Sequence, residues 1–578
     1  MRRALPPFIL ALLIAVLAVV PAGATRGSRW HEATKSRYGI VVTESPAASR
    51  VGREVLERGG NAIDAAAATV FALGVARPQS CGIGGGGFLL YRSASGKARA
   101  LDFRETAPAA IRADQYVDDP LAEEFTGHTT VGVPGTVAGM DAALARYGTL
   151  TLPEAIAPAE ALARGGVAVP TSLSGSMTQN ADRLKLFPAA AAQYLKPDGS
   201  AYRPHERLVQ PVLAATLRRI MRGGPKAFYA GTIARRIVAD MRAARPTADP
   251  GLLTLEDLAA YRARWRTALT GSYRGSQILA EPPPTSGGIA ILEMLNLLEG
   301  YDLKAAGQAS AQDIHLTAEA QNVAWADRNA YVADPAFVPV PTQELISKAY
   351  AATRRAALDP AQATVPPPGA IPSAPPRAAR GDENPEGSTT QVSIVDAKGA
   401  AVSLTCTIEQ EFGSAVVAPG TGFLLNNELT DFGGPGTANQ PAPGKRPRSS
   451  MAPTIVVRGG RPVLVAGGAG GALIIMGVLH TILDTTDFGA SLADAVDAER
   501  WDTGGSRTLS IEDARVMPGV LDDLRGRGWT IKPLGEYGPR PRVQLAGADP
   551  AGPGTVGVSD SRSDHAALAQ RRPAVSDG

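Results

Sequence analysis

An α+β fold, with helices layered on sheet, is the architecture this sequence predicts, and three observations predict it. The first half is rich in alanine and carries apolar residues at helical spacing. Past Thr389 the period changes to the alternation of strands. Between them lies a proline-rich stretch whose composition suits neither element. At 578 residues, 44% hydrophobic and 20% charged, the chain is globular, with room for two or three domains or one large two-part fold.

The first 24 residues read as an export signal. Arg2 and Arg3 give a charged start, Phe8 to Val20 is almost wholly apolar, and Ala22-Gly23-Ala24 offers a small-residue cleavage site. A periplasmic or secreted protein is expected. An uncleaved membrane anchor is the alternative, and no second apolar run long enough to span a bilayer follows.

From Val51 to Arg77, alanines with Val70, Leu73 and Val75 form an apolar helical face, and Gly59-Gly60-Asn61 separates two helical turns. Ser80-Cys81-Gly82-Ile83-Gly84-Gly85-Gly86-Gly87 then leads into a strand at Phe88–Tyr91. Gly82, Gly84 and Gly87, with Asp102 beyond them, match the dinucleotide fingerprint, but helix precedes and strand follows, the inverse of what that site needs. A tight buried turn is the expectation. Residues 141–270 should be mostly helical, and Ala311 to Val332 another helix.

The span 360–388 is linker or exposed loop by composition, a place where cleavage is tolerated. After it, Gln391–Val395 and Ala401–Ile408 form a hairpin about Asp396-Ala397-Lys398-Gly399. Thr454–Val457 and Pro462–Val465 form a second hairpin, and Leu473 to Leu483 is helical. Thr389 therefore heads a strand, expected at the edge of a sheet.

A net charge of +3, or +1 without Arg2 and Arg3, and the lack of a basic stripe with aromatics speak against nucleic acid as a partner. The histidines form no H-E-x-x-H and the cysteines no C-x-x-C, so no metal is expected. G-x-S-x-G is absent, which speaks against an α/β-hydrolase. Cys81 and Cys406 could pair in an exported protein, or stay two separate buried thiols.

Thr389 carries the chemical argument. A threonine hydroxyl is a poor nucleophile unless a base stands beside it. Cleavage between Ser388 and Thr389 would free an α-amino group titrating at roughly 7.7–8, a base within the same residue. One cut would turn an inert precursor into an N-terminal nucleophile hydrolase.

A set of motifs adds to this reading. They are Gly59-Gly60-Asn61-Ala62, Gly82 to Gly87, Asp102-Phe103-Arg104-Glu105, Val133-Pro134-Gly135 and Pro283-Pro284-Thr285-Ser286-Gly287-Gly288 in the first part. Ser388-Thr389-Thr390, Leu425-Asn426-Asn427-Glu428, Asp431-Phe432, Lys445-Arg446-Pro447, Ser449-Ser450-Met451 and Gly470-Gly471 follow in the second. In this order, from roughly Tyr38 to Ala566, the sequence resembles the γ-glutamyltranspeptidases (glutathione hydrolases).

The resemblance implies a four-layer αββα N-terminal nucleophile sandwich that cuts itself into a large subunit, 25–388, and a small subunit, 389–578, which stay together as a heterodimer. It implies no cofactor. Thr389 would attack the γ-amide carbonyl of glutathione or a related compound and form a γ-glutamyl ester, with Thr407 orienting its hydroxyl. The Gly470 and Gly471 N–H groups would form the oxyanion hole. Arg104 suits the substrate α-carboxylate, with Ser449 and Ser450 as hydroxyl donors, and Glu409, Glu428 and Asp431 would surround the α-ammonium. Water, an amino acid or a dipeptide would take the acyl group.

The sequence departs from the common pattern in places. Gln391 stands where histidine is frequent, Glu409 where many members have asparagine, Gly468-Ala469 where Ser-Pro is frequent, and Arg448 where leucine is usual. The segment Gly433 to Gly444 is short, like that of members without a lid loop. Two alternatives remain at this point: a glutaryl-cephalosporin (β-lactam) acylase of the same family, and an unprocessed binding protein.

Overall fold

The computed structural model describes residues 32–116, 125–243, 250–378, 387–538, 541–564 and 566–572. The leader expected at 1–24 lies outside them. Among the described residues no helix is long and apolar enough to cross a membrane.

Two seven-stranded antiparallel sheets form the centre. One runs Ala566–Ala569, Ile40–Thr43, Thr389–Val395, Ala401–Thr407, Gly86–Arg92, Ala98–Asp102 and Arg264–Arg266. The other runs Thr34–Ser36, Thr555–Ser559, Arg542–Ala548, Arg461–Ala469, Thr454–Arg458, Ser276–Ala280 and Leu269–Tyr273. Ile40, Val42, Leu90, Ile455, Val465 and Ala546 fill the space between them. Helices Pro46–Glu57, Ala62–Ala76, Leu152–Gly165 and Pro211–Tyr229 cover the first sheet, and Gly287–Leu298, Ala311–Tyr331 and Leu473–Thr486 the second. This is the four-layer αββα sandwich that the resemblance implied.

Local chemistry explains the element ends. Asn61 caps Ala62–Ala76: its side chain accepts from the Ile63 and Asp64 N–H groups, and Asp64 returns a bond to the Asn61 N–H. The helix is alanine-rich because it lies between the sheet and the Leu152–Gly165 helix with almost every side chain buried. The glycine run after it is a tight turn. A Cβ on Gly84 or Gly85 would run into the backbone carbonyl of Leu424 or Thr407.

The strand headed by Thr389 is buried on both faces. Val392 and Ile394 face the helices, whereas Ser393 donates to Gln544 O of the other sheet at 2.8 Å. The alternation of this strand therefore marks two covered faces, the polar one satisfied between the sheets.

Two expectations need correction, one is refined and one open alternative is decided. The Thr389–Val395 strand is not at an edge: Ile40–Thr43 pairs with its far half and Ala401–Thr407 with its whole length, so only the Thr389 end is open on one side. The outer neighbour lies some 350 positions earlier in the chain, a pairing too distant for local periodicity to reveal. Residues 141–270 are mostly helical as expected, but at their end Arg264–Arg266 and Leu269–Tyr273 are strands, one in each sheet. The described part of the proline-rich span is tied down rather than loose. Thr364 Oγ1 bonds Glu319 at 2.5 Å, and the Gly369 N–H donates to Asp327 at 2.6 Å. Of the two readings left open for Cys81 and Cys406, the structure has the pair: a disulfide with Cα atoms 5.5 Å apart.

Candidate active site

Thr389 and Thr407 stand opposite each other in the strand register. Thr389 Oγ1 donates to Thr407 Oγ1 at 3.3 Å. Thr407 Oγ1 in turn donates to the Ser388 carbonyl at 3.0 Å and accepts from the Glu409 N–H at 2.8 Å. Ser388 is held on both sides, its N–H donating to Glu409 O at 2.5 Å and its hydroxyl paired with Ser80 Oγ at 2.8 Å. Glu409 has φ +76°, a conformation that costs a non-glycine residue of order 1–3 kcal/mol. That turn brings its backbone to Ser388 and its side chain into the cleft.

The cleft is open to solvent and is lined by Arg104, Gly387, Thr389, Thr407, Glu409, Glu428, Asp431, Ser449, Ser450, Met451, Gly471 and Ile474. It gathers nine of the ten catalytic and substrate-binding residues read from the sequence. Gly470 lies just behind, at the junction between the Arg461–Ala469 strand and the helix beginning at Leu473. Gly470 and Gly471 have φ of +133° and +56°, which explains the pair. The strand leading to them is paired on both sides as far as Ala466, and Gly468-Ala469 is paired on one side only, with Val543 and Arg542. Gly387 rests against Gly471, where an added Cβ would stand 3.3 Å from Gly471 N. In the uncut chain the segment before Thr389 therefore occupies this part of the cleft.

Arg104 is buried at the acidic end. One terminal nitrogen pairs with Glu428, and the other with Asp431 at 2.5 Å and with Arg448 O at 3.0 Å. Burial opposes its charge, but Glu428, Asp431 and Glu105 outweigh burial and hold its pKa above the usual value. Burial raises the Glu428 carboxyl well above the carboxylate range, with Glu105, Asp431 and Glu409 adding to the rise and Arg104 opposing it. Burial also raises Glu409, reinforced by Asp431. Four carboxyl groups around one guanidinium leave the pocket short of positive charge.

Several supporting residues escaped the sequence reading. Asp102 accepts from the Arg104 N–H at 3.1 Å and pairs with Arg446 and Arg266, so the neighbouring motifs fix the Arg104 backbone. The Pro283–Gly288 motif clamps the serine loop: Ser286 N and Oγ both donate to Ser449 O, at 2.7 and 2.8 Å. Arg328, from the Ala311–Tyr331 helix, reaches Ser286 Oγ at 2.8 Å and Ser450 Oγ at 3.1 Å. A buried arginine on that helix was a signal, but its target lies over a hundred residues away. Glu105 was quoted within a motif without a role; burial lifts its carboxyl to about 7 against the opposing Arg104 charge.

The departures also find places. Gln391 accepts from Thr405 Oγ1 at 2.7 Å and donates to Ser403 Oγ at 2.9 Å, and Ser403 donates to Ala466 O at 2.7 Å. A neutral amide thus links the strand headed by Thr389, through Ser403, to the strand leading to the glycine pair. Arg448 points away from the cleft, its guanidinium donating to Arg328 O at 3.1 Å. No residue of 433–444 lines the cleft; Asn439 folds that segment back onto Asp431 O at 2.6 Å.

Comparison with known proteins gives the family. The Gamma-glutamyltranspeptidase family profile matches residues 48–570. A glutathione hydrolase proenzyme of Pseudomonas sp. (strain A14) is 44% identical over 480 residues, covering 80% of this chain and 81% of that one. An acylase ACY 1 proenzyme of Pseudomonas sp. (strain V22) is 42% identical over 511 residues, covering 86% and 88%. Among solved structures, the cephalosporin acylase from Bacillus halodurans superposes with a TM-score of 0.83 at 28% identity, covering 93% of this chain and 97% of that one. The chain belongs to the γ-glutamyltranspeptidase family.

Proposed function

We propose that this chain is the precursor of an exported γ-glutamyl hydrolase and transpeptidase that matures by cutting itself between Ser388 and Thr389. The observation that carries the reading is one cleft holding a strand-end threonine, a buried arginine and the Glu409, Glu428, Asp431 group. A γ-glutamyl donor presents a matching set: an amide to attack, an α-carboxylate and an α-ammonium. The proenzyme names of the relatives support processing, and the apolar leader supports export.

Maturation begins when Thr389 Oγ attacks the Ser388 carbonyl carbon. The Thr407 hydroxyl, already on that carbonyl oxygen, stabilises the developing charge. The acyl group passes from nitrogen to oxygen, and water hydrolyses the ester. Thr389 is left with a free α-amine, and Gly387 and Ser388 become a chain end able to leave the cleft. Large subunit 25–388 and small subunit 389–578 remain together through the shared sheet, where Gly86–Arg92 of one pairs with Ala401–Thr407 of the other.

In the mature enzyme the α-amine takes the Thr389 hydroxyl proton as the oxygen attacks the γ-carbonyl. The Gly470 and Gly471 N–H groups receive the oxyanion, and the amine product leaves with the proton. A substrate carboxylate approaching Arg104 displaces Asp431, the partly exposed partner, which then turns to the α-ammonium with Glu409 and Glu428. Ser449 and Ser450 add hydroxyl donors to the carboxylate. Water, or an amino acid or dipeptide, finally takes the γ-glutamyl group from Thr389.

The glutaryl-acylase reading is the competitor, because acylases stand among the relatives. A glutaryl chain keeps the distal carboxylate for Arg104 but has no α-ammonium, and would leave Glu409, Glu428 and Asp431 without a cation to meet. Measuring kcat/KM for γ-glutamyl and glutaryl anilides decides between them. The γ-glutamyl compound should win clearly; a glutaryl preference would sink the proposal.

A further inference from the structure

The Cys81–Cys406 disulfide joins the two sides of the proposed cleavage site. Cys81 precedes Ser388 in sequence and Cys406 follows it, so a cut between Ser388 and Thr389 places one cysteine on each fragment. Their neighbours hold the scissile bond itself. Ser80 pairs with the Ser388 hydroxyl, and Thr407 donates to the Ser388 carbonyl. No free cysteine remains among the described residues, and the sequence has only these two.

We infer that the mature enzyme is a covalent heterodimer, its large and small subunits clasped by the Cys81–Cys406 disulfide and the sulfurs shielded from thiol substrates. The inference rests on the proposed cleavage. Without the bond, the fragments would be held by sheet pairing and packing alone and would part on denaturation. With it, release needs a reductant, and a subunit loosened locally is kept at high effective concentration beside its partner. Placing the bond directly before Thr407 also keeps that strand registered after the cut, when Ser388 no longer pins it.

Shielding matters because glutathione is itself a thiol. Its thiolate attacking one sulfur would form a mixed disulfide and expel the other cysteine as thiolate. A second glutathione would release the first, yielding oxidised glutathione and two reduced cysteines. Attack requires access to a sulfur, and the two cysteines are 1% and 0% exposed, beneath the glycine turn and within the sheet. The bond should therefore persist while the enzyme turns over a reducing substrate.

The test uses the full-length protein, purified without reductant, treated with alkylating agent, denatured in detergent and run with and without reductant. The expected result is one species at the combined mass without reductant and two fragments with it, the smaller starting at Thr389. The Cys81→Ser and Cys406→Ser variants should each give two fragments in both lanes. Wild-type fragments that separate without reductant would overturn the clasp while leaving the cleavage intact. A single band in both lanes would refute the cleavage, and the inference with it. Incubating native protein with millimolar glutathione before alkylation should leave the joined species undiminished; separated fragments there would overturn the shielding.

Discussion

Replacing Thr407 by valine keeps the side chain's shape and removes one hydroxyl, and the structure fixes what that hydroxyl does. It accepts from Thr389 Oγ1 at 3.3 Å and Glu409 N at 2.8 Å, and donates to the Ser388 carbonyl at 3.0 Å. In the folded precursor the loss leaves the Glu409 N–H and the Ser388 carbonyl without this partner in a buried place. At about 1–3 kcal/mol for each, the variant should be less stable by about 2–6 kcal/mol at most. The kinetic effect is separate. The bond to Ser388 falls on the oxygen that becomes the oxyanion of self-cleavage, and one such donor is worth about 10²–10³ in rate. Maturation of Thr407→Val should slow by that factor. Intact mass followed over time after purification gives the uncut fraction directly. Thr407→Ser keeps the hydroxyl and should mature at close to the wild-type rate. A folded Thr407→Val that cuts within a few-fold of wild type would refute the role given to this bond.

Other outcomes follow from the same geometry. Glu409→Gln removes a charge-assisted contact of about 1.5–3 kcal/mol, so KM for a γ-glutamyl anilide should rise about 10–100-fold. Because burial and Asp431 raise the Glu409 carboxyl, acid neutralises this ammonium acceptor early. Wild-type KM should climb as pH falls, and the variant's KM should vary less with pH. Glu293, buried beside Asp327, has its pKa raised by burial and then by that neighbour's charge. Its favourable contribution is present at low pH, where both states are protonated, and is lost as pH rises through the folded pKa. Glu293→Gln should therefore gain Tm over wild type increasingly as pH rises; a Tm difference independent of pH would contradict this. A Cβ on Gly467 would collide with the Gln391 amide, so Gly467→Ala should destabilise by about 1–3 kcal/mol, measured by denaturant unfolding. With no residue of 433–444 lining the cleft, hydrolysis should exceed transfer at low acceptor concentration; a transfer-to-hydrolysis ratio far above one would contradict that.

The sequence made part of this legible for definite reasons. The helix break at Gly59-Gly60-Asn61, the hairpin about Asp396–Gly399 and the helix from Leu473 are written in neighbouring residues, and all three stand in the fold. Thr389 could be singled out because it joins two kinds of chain, and Arg104 because its motif is compact. Sheet membership was not legible. Ile40–Thr43 and Thr389–Val395 pair across some 350 positions, and nothing local announces that. For the same reason the strand's edge position was misjudged, and Arg328 was not connected with Ser450. The cysteine pairing depended on a turn and a distant strand being folded together, which spacing does not determine. Burial decides the rest: Glu105 in the sequence is an ordinary acid, and its enclosure raises its pKa against the opposing Arg104 charge.

The central claim is that Thr389, freed by cleavage, carries the γ-glutamyl group. The direct measurement is to mix enzyme with excess γ-glutamyl anilide, quench in acid, and determine the mass of the peptide that begins at Thr389. The account predicts a wild-type peptide with a free N-terminal threonine that gains the mass of one γ-glutamyl group, and a Thr389→Ala chain that stays uncut and unlabelled. A γ-glutamyl adduct on another residue, or turnover by a chain still joined at Ser388–Thr389, would contradict it.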